Sequence, residues 1–323
     1  MMELAELTQS NMLDYAGAVN QARAIPDART GLKPIHRKIL YEMYTDKITH
    51  KGKYKKNAYM VGQIIARFSE HGDAGTYGAL VRLGQDWIQR YPLLDFHGNA
   101  GSQFGDAPAA MRYTESRLSS LAEEGFLGNL QKKNVDWIPN FTNEELEPST
   151  LPAIFPGLFC LPTQGIGYAC ACNFLTMNLK EVADGIEKYI QTGKMPVLQY
   201  DLATGGTIIN PNIMNQIYKT GKGTVVIEST YHIKGRNIVI TEIPFGVLFD
   251  DLVEEIIKIG ESDENPGIVD IRNNSGAGKL EMIIEVSRDS EPQMIMNYLL
   301  DKTKLRCSYG INQIALINNK PKL

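Results

Sequence analysis

The sequence predicts an α+β protein: a helix-turn-helix unit closed by a glycine-rich hairpin or wing, then a mixed α/β unit. Three observations carry this. Two segments of helical periodicity, 57–68 and 73–90, flank the short turn Ser69-Glu70-His71-Gly72, the outline of a helix-turn-helix. A glycine-spaced stretch over 91–112 follows. Beyond about Asn140, proline-punctuated sequence leads into strands separated by short helices.

Residues 8–22 read as a helix capped at Thr8 or Ser10. The stretch 24–34 is a loop marked by Pro26, Gly31 and Pro34, and Pro34 suits the first turn of a helix running to about Met43. Met60, Ile64, Ile65 and Phe68 recur at helical spacing. Tyr77, Leu80, Val81, Trp87 and Ile88 line one face of the next helix, capped by Asp73 or Thr76, with its N-terminal end towards a phosphate. Thr114 to about Leu130 reads as helix. Pro148, Pro152, Pro156 and Pro162 mark a linker, and 157–173 is small, apolar and glycine-rich. Helices are expected at 178–191 and 248–259, and strands at 223–231, 237–243 and 279–286. The expected units are a helical arm at 1–28, the helix-turn-helix and wing at 29–147, and the mixed unit at 148–323.

A chain of 323 residues, 43% hydrophobic, has room for about two domains. With no run of 18 apolar residues and no signal-peptide pattern at the N-terminus, a cytoplasmic protein without a membrane role is expected. Cys170 and Cys172 lie too close in sequence for a zinc pair, and all four cysteines read as free thiols. The net charge of −4 hides an asymmetry. Residues 21–67 hold eleven Lys and Arg against three acids, a local excess of eight, so the remainder carries −12. That pattern suggests one polyanion-binding face on an acidic body, although a solvated lysine-rich loop at 47–56 would look the same.

Ala-Ala-Met-Arg-Tyr-Thr-Glu (109–115) carries the chemistry. A tyrosine with a pKa of about 10 is a poor nucleophile at neutral pH. It becomes useful where cations stabilise the phenolate and a phosphorane-like transition state. Arg112 supplies one such charge beside Tyr113. A phosphotyrosine would also conserve the energy of a broken phosphodiester, so resealing needs no ATP.

These residues fall within a longer ordered series. It comprises Arg-Ala-Ile-Pro-Asp-Ala-Arg-Thr-Gly-Leu-Lys-Pro-Ile-His-Arg-Lys-Ile-Leu (23–40), Lys55-Lys56, His71-Gly72-Asp73, Gly98-Asn99-x-Gly101-Ser102, Ala110–Glu115, Gly165-Ile166-Gly167, Thr204-Gly205-Gly206, Thr241–Pro244 and Ser308–Asn312. From about Leu13 to its last residue the chain resembles the A subunit of bacterial type IIA DNA topoisomerases, the breakage-reunion part of gyrase and topoisomerase IV. The resemblance implies a winged-helix DNA-cleavage domain followed by a tower domain. It implies Tyr113 as the nucleophile that becomes linked to a 5′ phosphate, with Arg112 as a transition-state cation. Arg23 and His71 would be active-site phosphate ligands, with His71 also helping to move the tyrosine proton. Lys33, His36, Arg37, Lys55 and Lys56 would contact the DNA backbone. Ile166 would be the wedge that enters a base step and bends the duplex, at a cost of a few kcal/mol offset by wrapping; without the resemblance, 157–173 reads as plain core.

The implied partners are double-stranded DNA, a second copy of the chain, and a B subunit, in an A2B2 assembly in a bacterial or phage-infected cell, associated with the nucleoid. No cofactor is expected on this chain, which has no P-loop and no compact Glu…Asp-x-Asp set. ATP and Mg²⁺ would be supplied through the ATPase and TOPRIM domains of the B subunit.

The sequence departs from the family pattern in places. Ser69-Glu70 stands where a His-Pro pair is usual, and Ala100 where a phenylalanine is usual. In the family, quinolones are held through a water–magnesium bridge by a serine and an acid at the positions of Ala74 and Gly78, neither of which can orient a metal-bound water. The sequence given stops at Lys320-Pro-Lys-Leu, before the family's coiled-coil arms and second dimer gate, which implies weak self-association without DNA. The alternative from another class is a non-catalytic relative that binds DNA or sequesters a resident topoisomerase. A tyrosine recombinase would need a dispersed Arg-His-Arg set, and the motif order argues against it.

Overall fold

The computed structural model describes residues 4–131, 133–276 and 279–323; residues 1–3, 132 and 277–278 of the expected units lie outside the described residues. Helix α1 (Leu4–Val19) begins before the expected cap at Thr8, because nothing in 4–8 breaks a helix, and it runs into a π-helical turn, Asn20–Ala24. Helix α2 (Pro34–Thr45) carries Pro34 in its first turn and buries Ile39, Leu40, Glu42 and Met43. After the two-residue strand β1 (Lys55–Lys56) come α3 (Asn57–Arg67) and α4 (Asp73–Gly84), separated by a five-residue turn.

Helix α4 stops six residues short of the expected Arg90. A side chain at Gly84 would stand 3.2 Å from the Leu94 carbonyl, so the next strand already fills the space there. Neither expected cap forms: Gly72 is the N-cap residue, and Asp73 instead accepts from the adjacent Ala74 N–H at 2.8 Å.

Strands β2 (Leu94–His97) and β3 (Glu115–Leu118) pair antiparallel, with β1 on the other edge of β3. The expected helix from Thr114 is therefore wrong over its first residues. Ser116 and Leu118 point inward and Glu115 and Arg117 outward, the period of a half-buried strand. Only 120–127 is helical, as a short α5 (Ser120–Ala122) capped by Ser119 and continued by a π-helical turn, Glu123–Leu127.

The second half is built on two antiparallel sheets. The hairpin β4 (Trp137–Pro139) and β5 (Leu146–Pro148), with the single turn α6 (Gly157–Cys160), leads into it. Strands β6 (Thr163–Gly167) and β7 (Cys170–Phe174) form a hairpin. After α7 (Leu179–Thr192), β8 (Thr207–Ile208), α8 (Ile213–Thr220) and β9 (Lys222–Glu228), the chain enters a four-stranded sheet. Its strands are β10 (Thr230–Lys234), β11 (Asn237–Glu242), β12 (Ile268–Asn273) and β13 (Met282–Val286), in the order β10-β11-β13-β12. Helices α9 (Phe249–Gly260) and α10 (Pro292–Lys302) pack on it. Strand β14 (Arg306–Asn312) returns to complete a five-stranded sheet, β6-β7-β14-β9-β8. A last hairpin, β15 (Ala315–Ile317) with β16 (Lys320–Lys322), holds the loop after α1, because Leu316 exchanges backbone hydrogen bonds with Pro26 and Ala28.

One hydrophobic core runs from Leu32 to Ile311, joining the helix-turn-helix region to the five-stranded sheet across Pro148. A second core lies under the four-stranded sheet. Phe104, from the loop between β2 and β3, packs edge-on against Phe249 at 5.0 Å, so that loop is anchored on the second half. Among the described residues no helix is long and apolar enough to cross a membrane.

Candidate functional site

Tyr113 closes a turn in the β2–β3 loop, its N–H donating to the Ala110 carbonyl at 2.9 Å. The residue is 64% exposed, and the Arg112 guanidinium lies 4.6 Å from its ring centroid. The turn is clamped onto the start of α3, which has no side-chain cap. Asn57 N–H donates to the Thr114 carbonyl at 3.0 Å and Ala58 N–H to the Met111 carbonyl at 3.1 Å, so the turn satisfies donors that a helix start leaves unpaired. Behind it, Asn57, Thr114 and Ser116 are fully buried and hydrogen-bonded to one another and to Tyr77 on α4.

Arg23 sits elsewhere, on the π-helical turn after α1. That turn lies directly against the β6–β7 hairpin. A side chain at Gly165 would stand 1.9 Å from the Ala24 carbonyl, and one at Gly167 1.9 Å from Asn20 Oδ1. Both glycines are therefore required by close approach. Ile166, between them, is left 84% exposed. Asn20 fixes the hairpin tip, donating to the Tyr168 carbonyl at 3.0 Å and accepting from the Tyr168 N–H at 2.9 Å. The outcome is a cleft of about 650 Å³ in which Arg23, His71 and Ile166 converge with Tyr15, Glu70 and Tyr168.

The remaining candidate cations divide in two. Burial, with Arg82 and Arg23 nearby, pushes the Lys33 ammonium down, and its Nζ donates to the Gln164 carbonyl at 2.7 Å. Desolvation, then the charges of Lys33 and Arg82, depresses His36 to about 3; its partial solvent contact softens this without reversing it, so the imidazole is neutral at physiological pH. Arg37 is committed to structure: Nη1 donates to the Ser149 carbonyl at 2.8 Å and Nη2 to the buried Glu147 at 3.3 Å. Lys56 pairs with Glu115 at 2.9 Å. Lys55 lies 4.4 Å above the Tyr59 ring and stays exposed. Of the eleven cations in 21–67, Arg29, Arg37, Lys38, Lys56 and Arg67 are ion-paired. Among the described residues, Arg23, Lys33, Lys47, Lys51, Lys53 and Lys55 have no ion-pair partner.

Sequence reasoning missed Arg82, an exposed residue in the last turn of α4, close enough to depress both Lys33 and His36. The available signal was that it is the single Lys or Arg between Phe68 and Gln89.

Neither Tyr113 nor Arg112 lines the Arg23–His71 cleft. The tyrosine turn is bonded to the first residues of α3, whereas His71 follows its end. Helix α3 is eleven residues, about 16 Å, long, so the turn and His71 flank its opposite ends. The arrangement offers two half-sites: an exposed phenol under a guanidinium, and a cleft with cations and an imidazole.

Residues 23–323 match the family of DNA gyrase/topoisomerase IV A subunits, and the chain belongs to that family. It is 38% identical to the DNA gyrase A subunit of Mycoplasma pneumoniae over 333 aligned residues, covering 100% of this chain and 40% of that protein. It is 39% identical to the DNA gyrase A subunit of Clostridium acetobutylicum, covering 96% of this chain and 39% of that protein, and 37% identical to that of Staphylococcus epidermidis, covering 98% and 37%. The chain thus spans about two fifths of the length of the curated relatives it matches.

Proposed function

We propose that this chain is the DNA-cleaving part of a type IIA topoisomerase A subunit. The α3–turn–α4 unit with its three-stranded sheet acts as a winged helix on duplex DNA, and the second half as the tower. Tyr113 Oη attacks a backbone phosphorus; the new O–P bond forms as the P–O3′ bond breaks. The 5′ phosphate stays on the tyrosine, and the 3′ oxygen leaves and takes up a proton from water. Arg112 and Arg23 offset the charge that develops on the phosphoryl oxygens, and His71 takes the phenolic proton. The observation that carries this reading is the pairing of an exposed, backbone-clamped Arg-Tyr turn with a separate cleft that gathers Arg23, His71 and Ile166.

Because Tyr113 and Arg112 do not line the cleft and the turn and His71 flank opposite ends of α3, the tyrosine of one copy works in the cleft of a second copy bound to the same DNA. Ile166, exposed beside that cleft, wedges a base step. Among the described residues no three His, Cys, Asp or Glu side chains gather to hold a metal ion. Mg²⁺ and ATP are assigned to a B-type partner within an A2B2 assembly on the strength of the family match, and no step of the metal chemistry is routed through this chain.

The test is cleavage of supercoiled DNA with a B-type subunit, Mg²⁺ and a denaturing quench. A covalent adduct at Tyr113, lost in Tyr113→Phe with DNA affinity retained, is the expected result; adducts in the Phe variant would overturn the assignment. Glu70, which lines the same cleft, favours a second reading: a relative that binds DNA and occupies a resident topoisomerase without cutting. Retained DNA binding with no adduct under any of these conditions would select it.

A further inference from the structure

The hydroxyls and amide behind Tyr113 form a chain with a single direction. Tyr77 Oη lies 2.6 Å from the Ala109 carbonyl, which can only accept, so the one phenolic proton of Tyr77 goes there. At the 2.8 Å contact with Thr114 Oγ1, Tyr77 must then accept, and the threonine proton is used. Thr114 Oγ1 in turn accepts from Asn57 Nδ2 at 2.9 Å. Asn57 Oδ1 accepts from Ser116 Oγ at 2.5 Å. The order is Ser116 to Asn57 to Thr114 to Tyr77 to the Ala109 carbonyl, with each hydroxyl proton used once. Asn57, Thr114 and Ser116 are fully buried, where an unmade hydrogen bond carries its full desolvation cost. The chain ties the starts of α3 and β3 and the first turns of α4 to both ends of the 109–114 segment that presents Tyr113.

We propose that Tyr77, with Thr114, is a positioning residue for strand cleavage: it acts through the Ala109 carbonyl and the turn to hold the Tyr113 phenol in attack geometry. The inference rests on the reading of Tyr113 as nucleophile. The Tyr77 hydroxyl bonds to the Ala109 carbonyl and the Thr114 hydroxyl, not to the Tyr113 phenol. Its loss leaves the Ala109 carbonyl and the Thr114 hydroxyl without their partner and lets the turn drift, and a displacement of about 1 Å can cost on the order of a hundredfold in rate.

The test uses the full chain with a B-type subunit, Mg²⁺ and a nicked or intact duplex, and measures the single-turnover rate of adduct formation, the DNA dissociation constant and the melting temperature. Tyr77→Phe should slow adduct formation by about tenfold to a hundredfold with the dissociation constant unchanged. Thr114→Val should match it, Thr114→Ser should restore most of the rate, and the Tyr77→Phe/Thr114→Val double variant should be no slower than either single one. A merely structural role would lower the melting temperature without this split between rate and affinity and without the serine rescue. If Tyr77→Phe does not fold, the Val–Ser pair at Thr114 decides alone. An adduct forming at the unmodified rate in Tyr77→Phe, or in Thr114→Val, would overturn the proposal and leave the nucleophile reading intact. Failure of the unmodified chain to form any adduct would overturn both.

Discussion

Around Tyr113 the buried polar groups are bonded to one another, whereas among the described residues Arg23, Lys33 and Arg82 have no ion-pair partner. The tyrosine turn is held by backbone bonds to α3 and by the Ser116–Tyr77 chain. The cleft is held instead by shape, through Gly165 and Gly167 against the π-helical turn. A nucleophile needs a fixed geometry, and buried neutral hydrogen bonds supply one without adding charge. A phosphate ligand needs free positive charge, and close backbone packing can place a guanidinium without neutralising it. Substitutions should therefore separate the two regions: at the cleft they should cost activity with little stability, and at the turn they should cost both.

The largest effect is expected at the cleft. Arg23→Ala should lower the cleavage rate by about a hundredfold to a thousandfold while changing stability by no more than about 0.5 kcal/mol. Asn57→Ala, in the turn, should destabilise by about 1–3 kcal/mol, because it leaves Thr114 and Ser116 with unmade bonds. Denaturant titration beside single-turnover cleavage reads both, and equal stability losses would erase the contrast.

An effect of comparable size is expected in the response to quinolones. Ala74 is exposed and a side chain at Gly78 would meet nothing within 4 Å, so Ala74→Ser with Gly78→Asp fits the surface of α4 without strain. The unmodified chain should resist quinolone trapping. The double variant should gain two hydrogen bonds to a charged hydrate, at about 1.5–3 kcal/mol each, and be trapped at much lower drug concentration. Strong trapping of the unmodified chain would contradict this.

The acid response comes third. The folded-state pKa of His36 lies near 3, below its unfolded value of about 6.5. The unfolded chain therefore takes up a proton that the native state refuses. Its contribution is intact above about pH 6.5 and is lost as the pH falls towards 3. His36→Gln should flatten that part of the stability profile in urea titrations at pH 7, 5 and 4; an unchanged difference between pH 7 and 4 would show that the ring is charged in the native state.

The smallest effect separates two adjacent lysines. Among the described residues Lys55 has no ion-pair partner, whereas Lys56 is held by Glu115. Lys55→Ala should reduce the salt dependence of DNA binding by about one counterion's worth and Lys56→Ala by less. Equal slopes would mean that the Glu115 pair opens on DNA.

Those lysines also mark the limit of what the sequence discloses. The tyrosine run, the helix-turn-helix outline and the basic segment are contiguous, so local pattern and charge reveal them. Pairing is not contiguous. Arg37 finds Glu147 and Lys56 finds Glu115 across long stretches of sequence, and nothing local distinguishes these cations from Lys55. The Ser116–Asn57–Thr114–Tyr77 chain joins residues of ordinary local character from three segments. Ser116 and Thr114 look helical in sequence because the alternation of 115–118 is short, and only pairing with β1 and β2 makes it a strand. Conversely, Gly165-Ile166-Gly167 is legible as a motif, but its reason, the close approach of the π-helical turn, appears only in three dimensions.

The most direct test of the two half-sites is complementation. Tyr113→Phe chains and Arg23→Ala chains, each inactive alone, are mixed, allowed to exchange on DNA with a B-type partner and Mg²⁺, and assayed for covalent adducts. A tyrosine that works in the cleft of the other copy predicts that the mixture regains cleavage, with a single strand cut per complex and the adduct carried by the Arg23→Ala chain. A mixture as inactive as its components, with exchange verified by differently tagged chains, would contradict the account and place Tyr113 and Arg23 of one chain in the same site.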